Sequence, residues 1–554
     1  MKLRKRERTQ NGLFNRTIKN PLVQYAGILS YAILLIMRIP LSKTIGDAGV
    51  GLFAPAFEIF LLITLFTSYS MTGAMSAIIR YRVKREQYKS ARKAFRAAFF
   101  MDLIVSVTAA VLIIVFSSFI ADILILEPRS RMAVLAVAPG IVFAAFIGTF
   151  RGYFSGFGLG MLTAHSQYIE SIVMIICALF FGEMSYTYGL KVSALKQNEA
   201  YSYAYGAMGA MLGVMLSQLI TLIHLLVIFV VYSGTLRGKL GMDNSKRLET
   251  QYSLQRMIFA NSFPIALIAI LSNLFMIVDQ RMFNYCMNKK NLGETRTALW
   301  GSYYGKFAVF IGVFTVFAIL SVYTMTGKIS NAYEREEYRV MRDRIGRAVR
   351  RLSITAFPIA IYLAALARAM LTSLYKGEVD TEVLWIQKGV IIIVLYGFCF
   401  FFAQILYKTH MLRELLLTTV VSLLAHTLIA YLFVQKALLG ADGVIYALIA
   451  FFALYGGLNF FFVSRNLKYR QDWLGGIVFP AAAAGVSGVV VMIMSSLLLE
   501  PVGGALTMLI GILVGLFFYI TFLMILKVIG EAELSRIPLG FFFIMLGRNI
   551  GVLR

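Results

Sequence analysis

Apolar residues run along this chain in blocks of roughly 20 or more, separated by short stretches rich in charge, glycine or proline. About 20 apolar residues in a helix cross the ~30 Å hydrocarbon layer of a bilayer, so each block predicts a membrane helix. About fourteen are predicted, with approximate limits 21–45, 50–80, 92–120, 131–157, 162–182, 205–233, 256–283, 298–325, 350–372, 386–407, 412–433, 441–466, 473–498 and 503–530. The pair 131–157 and 162–182 is the hardest to divide, because little beyond Gly158 and Gly160 lies between them.

Composition agrees with the pattern. The chain is 59% hydrophobic and 14% charged, against roughly 45–50% and about 25% for a soluble domain. The net charge of +26 would point to nucleic acid in a soluble protein. Here the cations sit in short loops between apolar blocks, so no nucleic-acid partner is expected. Cys177, Cys286 and Cys399 are odd in number and widely spaced, which gives no disulfide framework. The four histidines show no ligand spacing, and neither a metal site nor a cofactor is expected. A full-length apolar block follows the basic first 20 residues with no small-residue cleavage site, so it reads as an uncleaved first helix.

Loop charge sets the predicted topology. With the N-terminus in the cytoplasm, most Lys and Arg fall inside, above all at Arg80–Arg96 and Lys328–Arg351. An even helix count returns the C-terminus to the same side of the cell membrane. The expected organisation is a basic cytoplasmic N-terminus (1–20), a six-helix bundle (21–235), a cytoplasmic linker (236–255), a second six-helix bundle (256–470), helices 13–14 (471–530) and a cytoplasmic amphipathic tail (531–554).

Two stretches repeat. Tyr69-Ser70-Met71-Thr72-Gly73 ends the second predicted helix, and Tyr323-Thr324-Met325-Thr326-Gly327 ends the eighth. Gly206-Ala207-Met208-Gly209-Ala210 opens the sixth, and Gly440-Ala441-Asp442-Gly443-Val444 the twelfth. A unit of six helices repeats without inverting, which places a pseudo-two-fold axis along the membrane normal. The predicted fold is an all-α polytopic membrane protein, with two parallel six-helix repeats around a central cavity and two C-terminal helices. That is transporter architecture.

Charges inside apolar blocks mark candidate sites, since each is costly unless paired or wet. Arg38 and Glu58 lie in helices one and two, Asp279 and Arg281 close helix seven, and Lys306 opens helix eight. A second set holds Asp102, Arg151, His165 and Glu170. Arg38, Arg281, Arg151 and Lys306 are the candidate substrate-binding cations. Glu58, Asp279, Asp102 and Glu170 are the candidates for positioning those cations or binding a coupling ion. Every one also has a plain structural reading, as a helix-end snorkeller or a packing ion pair. Gly301-Ser302-Tyr303-Tyr304-Gly305-Lys306 has the wrong spacing for a phosphate loop.

Gly46-Asp47-Ala48-Gly49-Val50-Gly51-Leu52-Phe53 resembles the turn between the first two helices of polysaccharide-export-type flippases. Arg151-Gly152-Tyr153-Phe154-Ser155-Gly156, with Met161-Leu162-Thr163-Ala164-His165-Ser166-Gln167 and Glu170, is similar to that family's signature. The group is the stage V sporulation protein B branch of the multidrug/oligosaccharidyl-lipid/polysaccharide (MOP) superfamily, related to MurJ lipid II flippases. Leu162, Ser155 and His165 depart from its pattern, and an arginine-rich second helix is missing. The resemblance implies a flippase, not an enzyme. By alternating access it would move an undecaprenyl-pyrophosphate-linked oligosaccharide, a lipid II-like or polysaccharide precursor, from the inner to the outer leaflet. Partners expected on this reading are the lipid-linked oligosaccharide, membrane lipids and cell-wall synthesis proteins. A cation-coupled multidrug antiporter of the same superfamily and a non-transport scaffold for cell-wall synthesis are the alternatives.

Overall fold

The computed structural model describes residues 21–241, 243, 249–293, 295–535 and 540–549. The basic N-terminus 1–20 lies outside the described residues, as do parts of the 236–255 linker and the 531–554 tail. Thirteen described helices are long and apolar enough to cross a membrane. The first, Ala26–Lys84, is 59 residues long and breaks at Gly46, whose φ of 72° lies in the left-handed region. Arg38 and Glu58 meet across that break, so the chain doubles back there and the segment is two helices.

We label residues 26–45 α1 and 47–84 α2. Then follow α3 (Tyr88–Leu124), α4 (Pro128–Gly156), α5 (Gly160–Lys196), α6 (Ala200–Gly234) and α7 (Gln251–Lys289). The second half holds α8 (Arg296–Leu320), α9 (Tyr338–Leu374), α10 (Ile391–Lys408), α11 (Leu412–Lys436), α12 (Ala441–Asn466), α13 (Leu474–Val502) and α14 (Gly504–Ile525). Single left-handed residues close several of these helices, among them Gln197, Asn291, His410 and Lys468. Gly158, with φ 81°, divides α4 from α5 where the sequence left the boundary least certain.

The chain forms two compact units, residues 1–309 with 430–440, and 310–429 with 441–554. In the first, α5 packs along α6, α4 packs against α2, α3 and α6, and α7 lies on α2 and α3. Gly213 lets the α5 and α6 backbones close up, since a Cβ there would run into the Cys177 carbonyl. In the second unit, α10 packs on α12, and α9 packs on α10, α13 and α14. The short helix Gly540–Asn549 buries Phe543 against the α14 cluster around Tyr519 and Leu523. This grouping follows packing, so α7 and the start of α8 join α1–α6.

The structure adds a repeat that is easy to miss in the sequence. Arg85-Glu86-Gln87-Tyr88 and Arg335-Glu336-Glu337-Tyr338 occupy the turns into α3 and α9. Glu86 and Glu336 both adopt the left-handed conformation, with φ of 58° and 60°. Two non-glycine residues in that uncommon region, at matched positions, indicate one turn used twice.

Candidate functional site

The hairpin of α1 and α2 carries Arg38 and Glu58 facing each other, both almost fully buried. The opening of α8 closes over them. There the helix widens into a π-type turn, Tyr303–Phe307, an irregularity frequent at functional sites. Tyr304 donates to Glu58 Oε1 at 2.5 Å. Its ring stacks under the guanidinium, 3.6 Å from Arg38 Cζ to the ring centroid, within cation–π range. Arg38 Nη2 reaches the same carboxylate oxygen at only 3.5 Å, long for a charge-assisted bond. Its Nε is buried with no hydrogen-bond partner.

Two residues after Tyr304, Lys306 Nζ pairs with Asp47 Oδ2 at 2.9 Å. This brings α8 onto the Gly46–Gly51 turn. The backbones touch there: a Cβ on Gly51 would strike the Thr297 carbonyl, and one on Gly301 the Asp47 carbonyl. Asp279 is buried on α7, in electrostatic reach of Tyr303. Arg281 donates to the Ile123 and Leu124 carbonyls at the end of α3. Asn284 donates to Ile125 O at 2.8 Å. Beside them the buried Glu127 accepts from Arg129 Nε at 2.6 Å and Arg296 Nε at 2.7 Å. Burial would raise the Glu127 carboxyl, but the bonds and charges of Arg129 and Arg296 hold it below its ordinary value.

Arg151 belongs to a different assembly. Its Nε donates to Ser166 Oγ at 2.9 Å and its Nη2 to Glu170 Oε2 at 2.6 Å. Gln218 Nε2 donates to the other Glu170 oxygen at 2.9 Å. The signature residues of α4 and α5 therefore lock to each other and to α6. His165 is exposed on α5, its ring 5.5 Å from that of His224. Asp102 is buried on α3, where Thr149 of α4 donates to it.

The eight candidates thus do not form one site. Arg38 and Glu58 meet, and Lys306 binds nearby on the same hairpin. Arg281 turns to carbonyls at the α3 end, and the bonds of Arg151 and Asp102 run to neither Arg38 nor Glu58. Sequence reasoning missed Tyr304, Asp47 as the partner of Lys306, Glu127, Arg296 and Gln218. Only the first two had a visible signal, in the turns already singled out around Lys306 and Gly46.

Thirteen described helices of membrane-spanning length, with ion pairs on a broken first hairpin, make a polytopic membrane protein. Residues 22–299, half of the chain, match the model of the polysaccharide biosynthesis protein family, and the chain belongs to that family. Stage V sporulation protein B of Bacillus subtilis (strain 168) is 20% identical over 524 residues, covering 93% of this chain and 96% of that protein. A solved structure of the lipid II flippase MurJ in an inward closed conformation aligns with a TM-score of 0.62 at 14% identity, covering 91% of this chain and 98% of that one. An inward-facing multidrug resistance MATE family transporter of the MOP superfamily aligns with a TM-score of 0.58 at 16% identity, over 81% and 98%. The chain is thus a multi-pass membrane protein of this family, and it shares its fold with the solved flippase and with solved transporters of the MOP superfamily.

Proposed function

We propose that this transporter flips an undecaprenyl-pyrophosphate-linked oligosaccharide from the inner to the outer leaflet by alternating access. The family match over residues 22–299 carries the reading. Arg38 supports it, because a planar guanidinium with an unused Nε and a long carboxylate contact keeps capacity for a pyrophosphate. The second unit supports it as well. An apolar groove of about 420 Å³ runs between α9 and α14, lined by Pro358, Leu366, Met508, Ile512 and others, and its chemistry suits a prenyl tail. The reading takes α1–α6 and α7–α12 as the two moving bundles, both termini in the cytoplasm, and cell-wall synthesis proteins as suppliers or users of the cargo.

Arg38→Ala tests it in a flipping or complementation assay normalised for membrane abundance. Transport should be lost while abundance stays nearly intact, and Arg38→Lys should recover only part. Full activity in a normally abundant Arg38→Ala protein removes this residue from the site. Depletion of the protein should also leave lipid-linked glycan on the cytoplasmic leaflet. Sensitivity to cationic dyes with unchanged lipid-linked pools would instead establish a multidrug antiporter.

A further inference from the structure

The turns into α3 and α9 are copies, so the helices that follow can be compared position by position, about 250 residues apart. On α9, Ile354, Phe357 and Ile361 pack into the cluster formed by α13 and α14. The Tyr519 hydroxyl donates to Ile354 O at 2.9 Å. One turn before Ile354, Arg350 pairs with Glu533 at 3.1 Å. The protein itself covers this face and neutralises its cation.

The matching face of α3 is bare. Ile104, Val107 and Val111 stand where Ile354, Phe357 and Ile361 stand on α9, and they are 65%, 42% and 51% exposed. At the basic end of the same helix, Lys89, Arg92, Lys93 and Arg96 line a pocket of about 430 Å³ together with Leu240. Spacings of three and four residues put Lys89, Arg92, Arg96, the exposed Phe100 and Ile104 on one helical stripe. The nearby acids are otherwise engaged: Glu249 binds Arg82, and Asp243 accepts from the Lys89 backbone N at 2.6 Å. No carboxylate pairs with Arg92 or Arg96 among the described residues.

We infer that this stripe is a binding site for an anionic diacyl phospholipid, its phosphate held by Arg92 and Arg96 and an acyl chain laid along Phe100, Ile104 and Val111. The shape of the stripe is that of the ligand, a cationic end continuing into an apolar body. Juxtamembrane Lys/Arg clusters attract anionic lipid headgroups through the same electrostatics. The bound lipid would do for α3 what α13, α14 and Glu533 do for α9. This inference does not depend on the cargo.

The test is native mass spectrometry of the full chain released from bilayers of phosphatidylglycerol and phosphatidylcholine. Wild-type protein should retain phosphatidylglycerol and no phosphatidylcholine. Arg92→Gln with Arg96→Gln should weaken that retention about tenfold or more. The charge-matched control Lys289→Gln with Lys290→Gln should leave it unchanged. A photoreactive residue at Ile104 in otherwise wild-type protein should label lipid, which keeps the test open if the double variant expresses poorly. Equal retention of both lipids by the wild type, unchanged phosphatidylglycerol in the Arg92/Arg96 variant, or capture of a polypeptide at Ile104 would overturn the assignment.

Discussion

Arg38 and Arg151 are both buried arginines with a glutamate about one helical hairpin away, yet their surroundings are opposite. Arg151 is anchored through two nitrogens, with 2.9 and 2.6 Å bonds to Ser166 and Glu170, and Gln218 binds the other Glu170 oxygen. Arg38 has one 3.5 Å contact, an aromatic ring beneath it and an orphaned Nε. A guanidinium held by short bonds to two partners rigidifies the helices it joins, whereas one left with a long contact and an orphaned donor retains affinity for something else. The arginine of the signature motif, a candidate substrate-binding cation in the sequence, is therefore the better fastener of the two.

The contrast breaks first at Arg151. Arg151→Ala leaves Glu170 without its cation and should destabilise the protein by about 3 kcal/mol, read as a lower melting temperature of the purified protein and reduced membrane abundance. If Arg151→Ala is as stable as wild type but inactive, the roles are reversed. Gly301→Ala should come next, at about 2 kcal/mol, because its Cβ meets backbone at Asp47 and not a side chain able to rotate away. It should also raise thiol labelling of a cysteine placed at Ser42, beside the α8 crossing.

Tyr304→Phe sharpens the comparison on the Arg38 side. The ring under the guanidinium stays, and only the donor to Glu58 goes, for about 1 kcal/mol. Thermal melting of Tyr304→Phe against Tyr304→Ala separates the stacking contribution from the hydrogen bond.

The smallest effect belongs to Glu127. Its folded carboxyl sits below its ordinary value, so its stabilisation is complete above the unfolded pKa of about 4.3. It is lost as the pH falls through the lower folded value. Glu127→Gln should flatten the acid limb of a stability profile as the pH falls below the ordinary carboxylate range. An unchanged acid limb would show that Glu127 does not carry it.

Most of the architecture was legible before any coordinates. Apolar block length located the helices, because a bilayer enforces one length on all of them. The Gly46 turn and the Arg38–Glu58 neighbours were legible too, since a hairpin fixes which residues face each other. Partners brought in from afar were not. Tyr304 reaches Glu58 across 246 positions, and Arg281 finds carbonyls freed by the π-type ending of α3. Neither the widened turn nor the freed carbonyl has a signature in residue type. The repeated turn at Glu86 and Glu336 escaped for a different reason: four residues alike at three positions are too short a match to stand out among charged loops, and only the shared left-handed glutamate marks them as one turn.

The crossing of Gly51 and Gly301 has a mechanical consequence. Side-chain contacts yield gradually, because rotamers adjust and methyl groups slide. Two backbones in direct touch have no such compliance, and they are either seated or apart. The opening of α8 on the α1–α2 hairpin thus behaves as a hard stop and not as a spring. In the proposed alternating-access cycle it would define an end point of travel, and motion away from it would release Lys306 from Asp47 and Tyr304 from Glu58 in a single stroke.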